Sequence, residues 1–490
     1  MGVIKRQGIK NTIIAYTGMA IGFLNLIVIQ PHFLTKEELG LTRILYSFAL
    51  LLAMMVPLGI GNATVKFFPL FKDPDRKNHG FFGFMSLFPL VGYIITAALI
   101  FIFKDFILDQ FRTESPLFLE FFDYVFPLIF FNAFIAVFAV YCNVNFKTTI
   151  PTFLNDILVR VLTVILVSVY YLKWLSLDGF IAWFTAIYGI QLGLLLLYIF
   201  IFDKPKIKID WWVIREKKFF ELMRYGLLLW FAGVASLGLK YFDSIMIGKF
   251  MALSFVGIYT IAAFVPTIIE APLNAFERIA GSKIAFAWSE NDLSQIQSIY
   301  QKSSLYMFMA GGFLFLLVNL NIHTLLQFLP EGYQQGELVV IIISIGTLYN
   351  MATGLNAPVL FNSDKYRYGA VYLIVLAIVI LSLQMLLIPL FGIYGAAIAT
   401  SVAAFIYNSL LLFTVWKFFK LQPFDKNNLW VLFSIMLVFA ALFFIPHHHS
   451  RYLDILLRSG LATLMYFSLI RYKGLLPDFG DMMPWKKVKF

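Results

Sequence analysis

Two pairs of opposite charges sit inside otherwise apolar stretches of this 490-residue chain: Asp156 with Arg160, and Lys240 with Asp243. Their spacings, i to i+4 and i to i+3, bring each acid and base onto one helical face about one turn apart. A charge in lipid is costly, so such residues turn toward a bundle interior or a wet cavity. There they either neutralise each other or exchange the partner for a charged ligand. Both roles, structural bridge and substrate or gating contact, stay open for each pair. Glu270 and Asp123 lie in apolar stretches without a partner at helical spacing. Glu270 reads as a hydrogen-bonded acid or as a gating or ion-coupling group.

Chemistry of other kinds has little to work with. The histidines are His32, His79, His323 and the run 447–449, all near the ends of apolar stretches. The triple histidine has no carboxylate or cysteine cluster beside it and reads as a solvated loop rather than a metal site. No nucleotide-binding glycine loop is present, no cofactor is implied, and a catalytic domain has no room. The single cysteine, Cys142, forms no internal disulfide and reads as packing.

The elements that must position the charged groups are membrane spans. Hydrophobic residues make up 61% of the chain, charged ones 13%, and mean hydropathy is +0.83, so the solvent is lipid. About 20 apolar residues cross a bilayer. Fourteen stretches qualify: 11–30, 44–64, 81–103, 121–142, 151–172, 179–202, 225–247, 253–275, 304–328, 338–360, 368–390, 393–416, 428–446 and 453–470. The expected fold is all-α and polytopic. The net charge of +11 marks topology, not nucleic acid, because 28 basic residues fall in segments on one side, seven on the other and three within spans. That bias places both termini in the cytoplasm and Lys36, Arg43 and Lys104 outside. The basic N-terminus reads as an uncleaved first span, since no small-residue cleavage site follows it.

An offset of 217 brings Gly40 onto Gly257, Ile44 onto Ile261, Ala63 onto Ala280 and Lys66 onto Lys283, and an offset of 216 brings Gly179 onto Gly395. The repeat divides the chain into a six-helix bundle at 1–202, a basic linker at 203–224 with Trp211 and Trp212, a second bundle at 225–416, and two extra helices with a basic tail at 417–490. Six spans is an even number, so the halves are related by a pseudo-two-fold axis along the membrane normal, and substrate is expected between them. Lys66 and Lys283, equivalent in the two halves, are candidates to receive a phosphate at the cytoplasmic mouth, with snorkelling as the plainer role. The segment 277–302 reads as an interfacial helix or a plain connection. Spans 2, 4, 8 and 10 are interrupted by Pro57 and Gly59, by Pro127, by Pro266 and Pro272, and by Pro358. Broken backbone is tolerated in a membrane where it lines a cavity or is buried in protein.

Three segments carry a family resemblance. Residues Tyr241-Phe242-Asp243-Ser244-Ile245-Met246-Ile247-Gly248 with Val256-Gly257-Ile258-Tyr259, the run from Ile388 to Thr400, and Gly59-Ile60-Gly61-Asn62 through Phe68 resemble bacterial polysaccharide flippases of the multidrug/oligosaccharidyl-lipid/polysaccharide exporter superfamily. The resemblance implies two six-helix bundles that turn an undecaprenyl-pyrophosphate-linked oligosaccharide to the outer leaflet of the inner membrane. It serves O-antigen, capsule or exopolysaccharide synthesis, with a polysaccharide polymerase and a chain-length regulator as possible partners. Arg160, Lys240, Lys66 and Lys283 are then substrate contacts, and Asp156, Asp243 and Glu270 gating or ion-coupling groups. Competing readings are a multidrug or cation exporter of the same superfamily, a major-facilitator transporter, and a membrane-embedded polysaccharide polymerase or ligase. The last would need a large outer loop, and the longest expected one runs only from 104 to 120.

Overall fold

The computed structural model describes residues 2–73, 75–211, 226, 230, 241–446 and 448–475, and every regular element among them is helical. The long helices are α1 (Gly2–Phe23), α2 (Lys36–Ala53), α3 (Ile60–Phe71), α4 (Phe81–Ile102), α5 (Val125–Val144), α6 (Val159–Tyr171), α7 (Leu177–Phe202), α8 (Leu253–Phe264), α9 (Thr267–Ser289), α10 (Leu293–Leu326), α11 (Glu337–Thr353), the short α12 (Asn356–Phe361), α13 (Tyr366–Phe391), α14 (Ile393–Phe419), α15 (Lys426–Phe443) and α16 (Arg451–Tyr472). Among the described residues eleven helices are long and apolar enough to cross a membrane, and the bent pair α8 and α9 makes a twelfth. Of the two other expected spans, one is the broken α2/α3 pair. The other, 225–247, lies mostly outside the described residues. Large apolar side chains point outward, as in Phe101 at 75% exposure and Leu429 at 68%, because lipid rather than water meets them. This is a multi-pass membrane protein.

Two of the expected interruptions are real breaks. Residues 54–59 turn between α2 and α3 with Leu58 and Gly59 at φ 48° and 81°. The Met54 carbonyl exposed by this break accepts the Trp230 indole N–H at 3.0 Å. Span 8 bends by 50° around Pro266. In span 10 the break falls at Gly354, φ 59°, and not at Pro358, which sits in the first turn of α12. A Cβ on Gly354 would stand 2.8 Å from the Ser304 nitrogen, and the Ser304 hydroxyl caps the Ala352 carbonyl at 2.5 Å. Pro127 breaks nothing, because it lies in the first turn of α5, where its missing N–H has no helical partner to lose. The segment 277–302, read as an interfacial helix or a plain connection, consists of the end of α9, a turn, and the start of α10. Ile284 and Ile296 are fully buried there and the Trp288 indole donates to the Val359 carbonyl at 3.0 Å, so this face is turned to protein.

The chain divides into two compact units, 1–261 with 384–393, and 262–383 with 394–490. The first is cored by aromatic rings, among them Phe68, Phe81, Phe82 and Tyr141, packed edge to face. In the second, α15 and α16 are tied to α10. The Tyr466 hydroxyl donates to Met309 O at 2.9 Å, and the Thr324 hydroxyl to Asp454 at 2.5 Å. Asp454, 2% exposed, also accepts the His448 N–H at 2.8 Å and pairs with Arg458 at 3.1 Å. The Arg458 guanidinium in turn caps Leu442 O at 3.0 Å and Ile445 O, the loose carbonyls at the end of α15. Removing one partner of so buried a pair leaves the other charge stranded and costs about 3–5 kcal/mol. Asp454→Ala is therefore expected to lower the melting temperature sharply, and Asp454→Ala with Arg458→Leu to recover part of the loss. Equal melting of the single variant and the parent would refute this.

Candidate substrate and gating sites

Asp156 and Arg160 lie together against α1. Asp156 is in a π-turn, Leu154–Leu158, at the head of α6, where an extra residue per turn shifts the helix face. Its carboxylate accepts the Asn155 amide at 2.9 Å, and the Arg160 guanidinium donates to the Gly18 carbonyl on α1. Added Cβ atoms on Gly18 and Gly22 would meet Asp156 O at 2.6 Å and Arg160 Nη1 at 2.7 Å. The small-xxx-small stripe of α1 thus receives the two charged residues, a signal present in the sequence as Gly18-x-x-x-Gly22.

Asp243 has a different setting. Its two oxygens accept the Tyr259 hydroxyl at 2.6 Å and the Gln384 amide of α13, which is wholly buried. Lys240 lies outside the described residues. Glu270 in α9 is not alone either, since the Asn350 amide donates to it at 3.0 Å. Beyond Asn350 runs a buried polar seam, with Asn356 bonded to Asn408 at 2.9 Å and Asn428 to Ser304 at 2.9 Å. Lys66 is exposed on α3 with its ammonium 5.2 Å from the Phe67 ring centre. Lys283 is half-buried on α9, in the other unit. Asp123 is outside any span's interior. It forms an exposed ion pair with Lys104 at 2.5 Å beside the first turn of α5.

The residue sequence reasoning misplaced is Arg43. It was expected in an outer loop, yet α2 begins at Lys36, so Arg43 stands two turns into a helix. Thr35 and Glu38 form a reciprocal capping box, and this T-x-x-E pattern was the available signal. The Arg43 guanidinium donates to Gln30 at 3.0 Å, has no ion pair with a described carboxylate, and its Nε is buried without a partner among the described residues. Tyr46 and Tyr188 beside it stack at 5.2 Å, Tyr241 stands edge-on to Tyr46 at 6.4 Å, and the Asn25 carbonyl oxygen is likewise buried and unpartnered. A guanidinium with spare donors among aromatic faces can take a phosphate bidentately and pack a sugar ring.

Near Arg43 the two ends of the sequence repeat meet. A Cβ on Gly40 would stand 1.9 Å from Leu253 O, and one on Gly257 2.3 Å from Lys36 O. Since 253 is 36 plus 217 and 257 is 40 plus 217, the two close approaches between α2 and α8 are reciprocal at the offset of the repeat. Ser115 closes over it, donating to Gly248 O at 2.6 Å with no exposure. In the second unit an apolar cavity of about 710 Å³ is lined by Phe308, Ile345, Tyr349, Phe405, Leu429 and Leu432.

The profile of the family described as "Polysaccharide biosynthesis protein" matches residues 4–277, more than half of the chain. The chain belongs to that family. Among solved structures it is similar to one titled as the lipid II flippase MurJ in an inward closed conformation, with TM-score 0.75 and 14% identity over 96% of this chain and 100% of that one. It is also similar to an inward-facing multidrug resistance MATE family transporter of the MOP superfamily, with TM-score 0.62 and 11% identity over 87% of this chain and 95% of that one. At these identities the likeness establishes the fold alone, one shared with both of those structures. No curated protein matches the chain in sequence.

Proposed function

We propose that this protein turns an undecaprenyl-pyrophosphate-linked oligosaccharide from the cytoplasmic to the outer leaflet of a bacterial inner membrane, for O-antigen, capsule or exopolysaccharide synthesis. Alternation between the halves 1–202 and 225–416 moves the substrate, and both termini are cytoplasmic. The observation that carries this reading is Arg43, a half-buried residue whose Nε is buried without a partner among the described residues, beside a cluster of tyrosines, in a chain of the polysaccharide biosynthesis family. A transporter of neutral or cationic solutes has no use for a buried cation that no described acid pairs. The apolar cavity of the second unit suits part of the isoprenoid tail.

Lys66 and Lys283 would receive the pyrophosphate first, as point charges at the cytoplasmic mouth. Leaflet exchange of a fluorescent undecaprenyl-pyrophosphate-linked oligosaccharide in proteoliposomes containing only this protein tests the reading. Exchange well above that of protein-free vesicles is expected, and its absence with well-folded protein rejects the flippase. The double variant Lys66→Gln with Lys283→Gln is expected to insert normally and lose at least nine-tenths of the exchange rate. Full exchange by that variant would leave both lysines as topological anchors.

A further inference from the structure

The chain leaving α7 does not hang free. The Tyr141 hydroxyl of α5 donates to the Asp203 carboxylate, and the Asp210 N–H donates to the His79 carbonyl at 3.2 Å. Between these points the linker backbone rides on bare glycine backbone. A Cβ on Gly80 would stand 2.0 Å from Lys208 O, and one on Gly83 1.8 Å from Ile207 O. The imidazole of His79, 8% exposed, stands 3.3 Å from the Asp73 carboxylate of its own loop and 3.9 Å from Asp210 of the linker. Asp210 is also gripped by Lys206 at 3.0 Å.

The turn beneath is strained. Lys77, Asn78 and His79 have φ of 49°, 51° and 54°, followed by Gly80 at 70°. Left-handed backbone is unfavourable for residues with a Cβ and is rarely found in consecutive positions. It persists where surrounding contacts over-determine it. Here part of those contacts come from the linker: His79 O to Asp210, His79 to its carboxylate, and the linker carbonyls on Gly80 and Gly83.

We propose that residues 203–210 and the turn at 77–80 form a latch, fastened in this conformation, which lifts once in every transport cycle and lets the strained turn relax. The linker is the chain connection between the two proposed halves of the alternating-halves reading, so movement between them is carried by it. His79 acts as the positioning residue: its carbonyl accepts the Asp210 N–H at 3.2 Å and its imidazole stands 3.9 Å from the carboxylate that Lys206 grips. The latch rests on the alternating-halves reading above, and its test separates the two.

The experiment uses the full chain with Cys142→Ala and a cysteine pair, His79→Cys with Asp210→Cys. Oxidation is expected to cut leaflet exchange of the fluorescent lipid-linked oligosaccharide at least tenfold, and reduction to restore it. Equal exchange in the oxidised and reduced forms would show that the latch need not open, and overturns the proposal. Hydrogen exchange gives a readout that needs no substrate. Gly80→Ala, whose methyl collides with Lys208 O, is expected to speed exchange of the Asp210 amide at least tenfold, while His79→Gln, which keeps a polar donor between Asp73 and Asp210, speeds it less than His79→Ala. An Asp210 amide that exchanges at the same rate in parent and Gly80→Ala overturns the latch, even if no lipid is moved at all. Absence of lipid movement in the parent protein, with the amide protected as expected, removes the substrate reading and leaves the latch standing.

Discussion

Gly40→Val is expected to abolish transport and hold the Lys36 end of α2 apart from α8. No side chain fits at this position, because a Cβ would come within 1.9 Å of the Leu253 carbonyl, a backbone atom that cannot rotate away. The symmetric contact, Gly257 against Lys36 O, is lost in the same event, as are the close Cα–H to carbonyl approaches of such a crossing. Overpacking of this kind costs about 1–3 kcal/mol where the structure can adjust. In a two-state balance that shifts populations by roughly 5- to 150-fold. A reporter is available in Ser115, which is fully buried over the crossing. In a Cys142→Ala background, Ser115→Cys is expected to resist a membrane-impermeant thiol reagent added outside, and to react readily once Gly40→Val is introduced. Normal transport together with continued protection of Ser115→Cys would mean that this crossing is not a closure contact.

Arg43→Gln is expected to separate function from stability. The guanidinium is held by one side-chain acceptor, Gln30, and its Nε is buried without a partner among the described residues, so the folded protein bears the cost of desolvating a charge it does not fully satisfy. Removing the charge should leave the melting temperature unchanged or raise it. A hydrogen bond to a charged group contributes about 1.5–3 kcal/mol. Loss of such a bond to substrate phosphate therefore corresponds to a fall in leaflet exchange of roughly 10- to 150-fold. Arg43→Lys keeps the charge but not the planar fork, and should fall between the two. The informative failure is the opposite pattern. A variant that melts early yet exchanges lipid at the parent rate would make Arg43 a structural residue of the α2 entry and remove the main support for an anionic substrate.

The spans were legible because the constraint that makes them is local. A backbone in lipid must satisfy its own hydrogen bonds, so a sufficiently long apolar run becomes a helix whatever its neighbours are. The breaks in spans 2 and 8 were legible for the same reason, since Pro57, Gly59 and Pro266 disrupt the helical ladder from within the run. Glycines 40 and 257 were picked out by an internal repeat and proved to touch in its register. The family resemblance seen at Asp243 and Gly257 agrees with the family profile, which covers residues 4–277.

Partners across helices were not legible. Asp156 and Arg160 both pack on α1, and the guanidinium goes to the Gly18 carbonyl, because the groove between Gly18 and Gly22 admits it. Glu270 found Asn350, and Asp243 found Tyr259 and Gln384, residues 80, 16 and 141 positions away. The break of span 10 followed Gly354, pressed against Ser304, rather than the more conspicuous Pro358. Arg43 was set in a loop because charged Lys36, Glu37 and Glu38 delayed the start of the apolar window, although the capping box at Thr35 already began the helix. By itself, then, the sequence determined what is periodic and local: which segments are helical, where they weaken, and which family they resemble. Only the tertiary structure decided which polar groups meet, because helix rotation, crossing distance and the small residues that permit close approach depend on every packed neighbour at once.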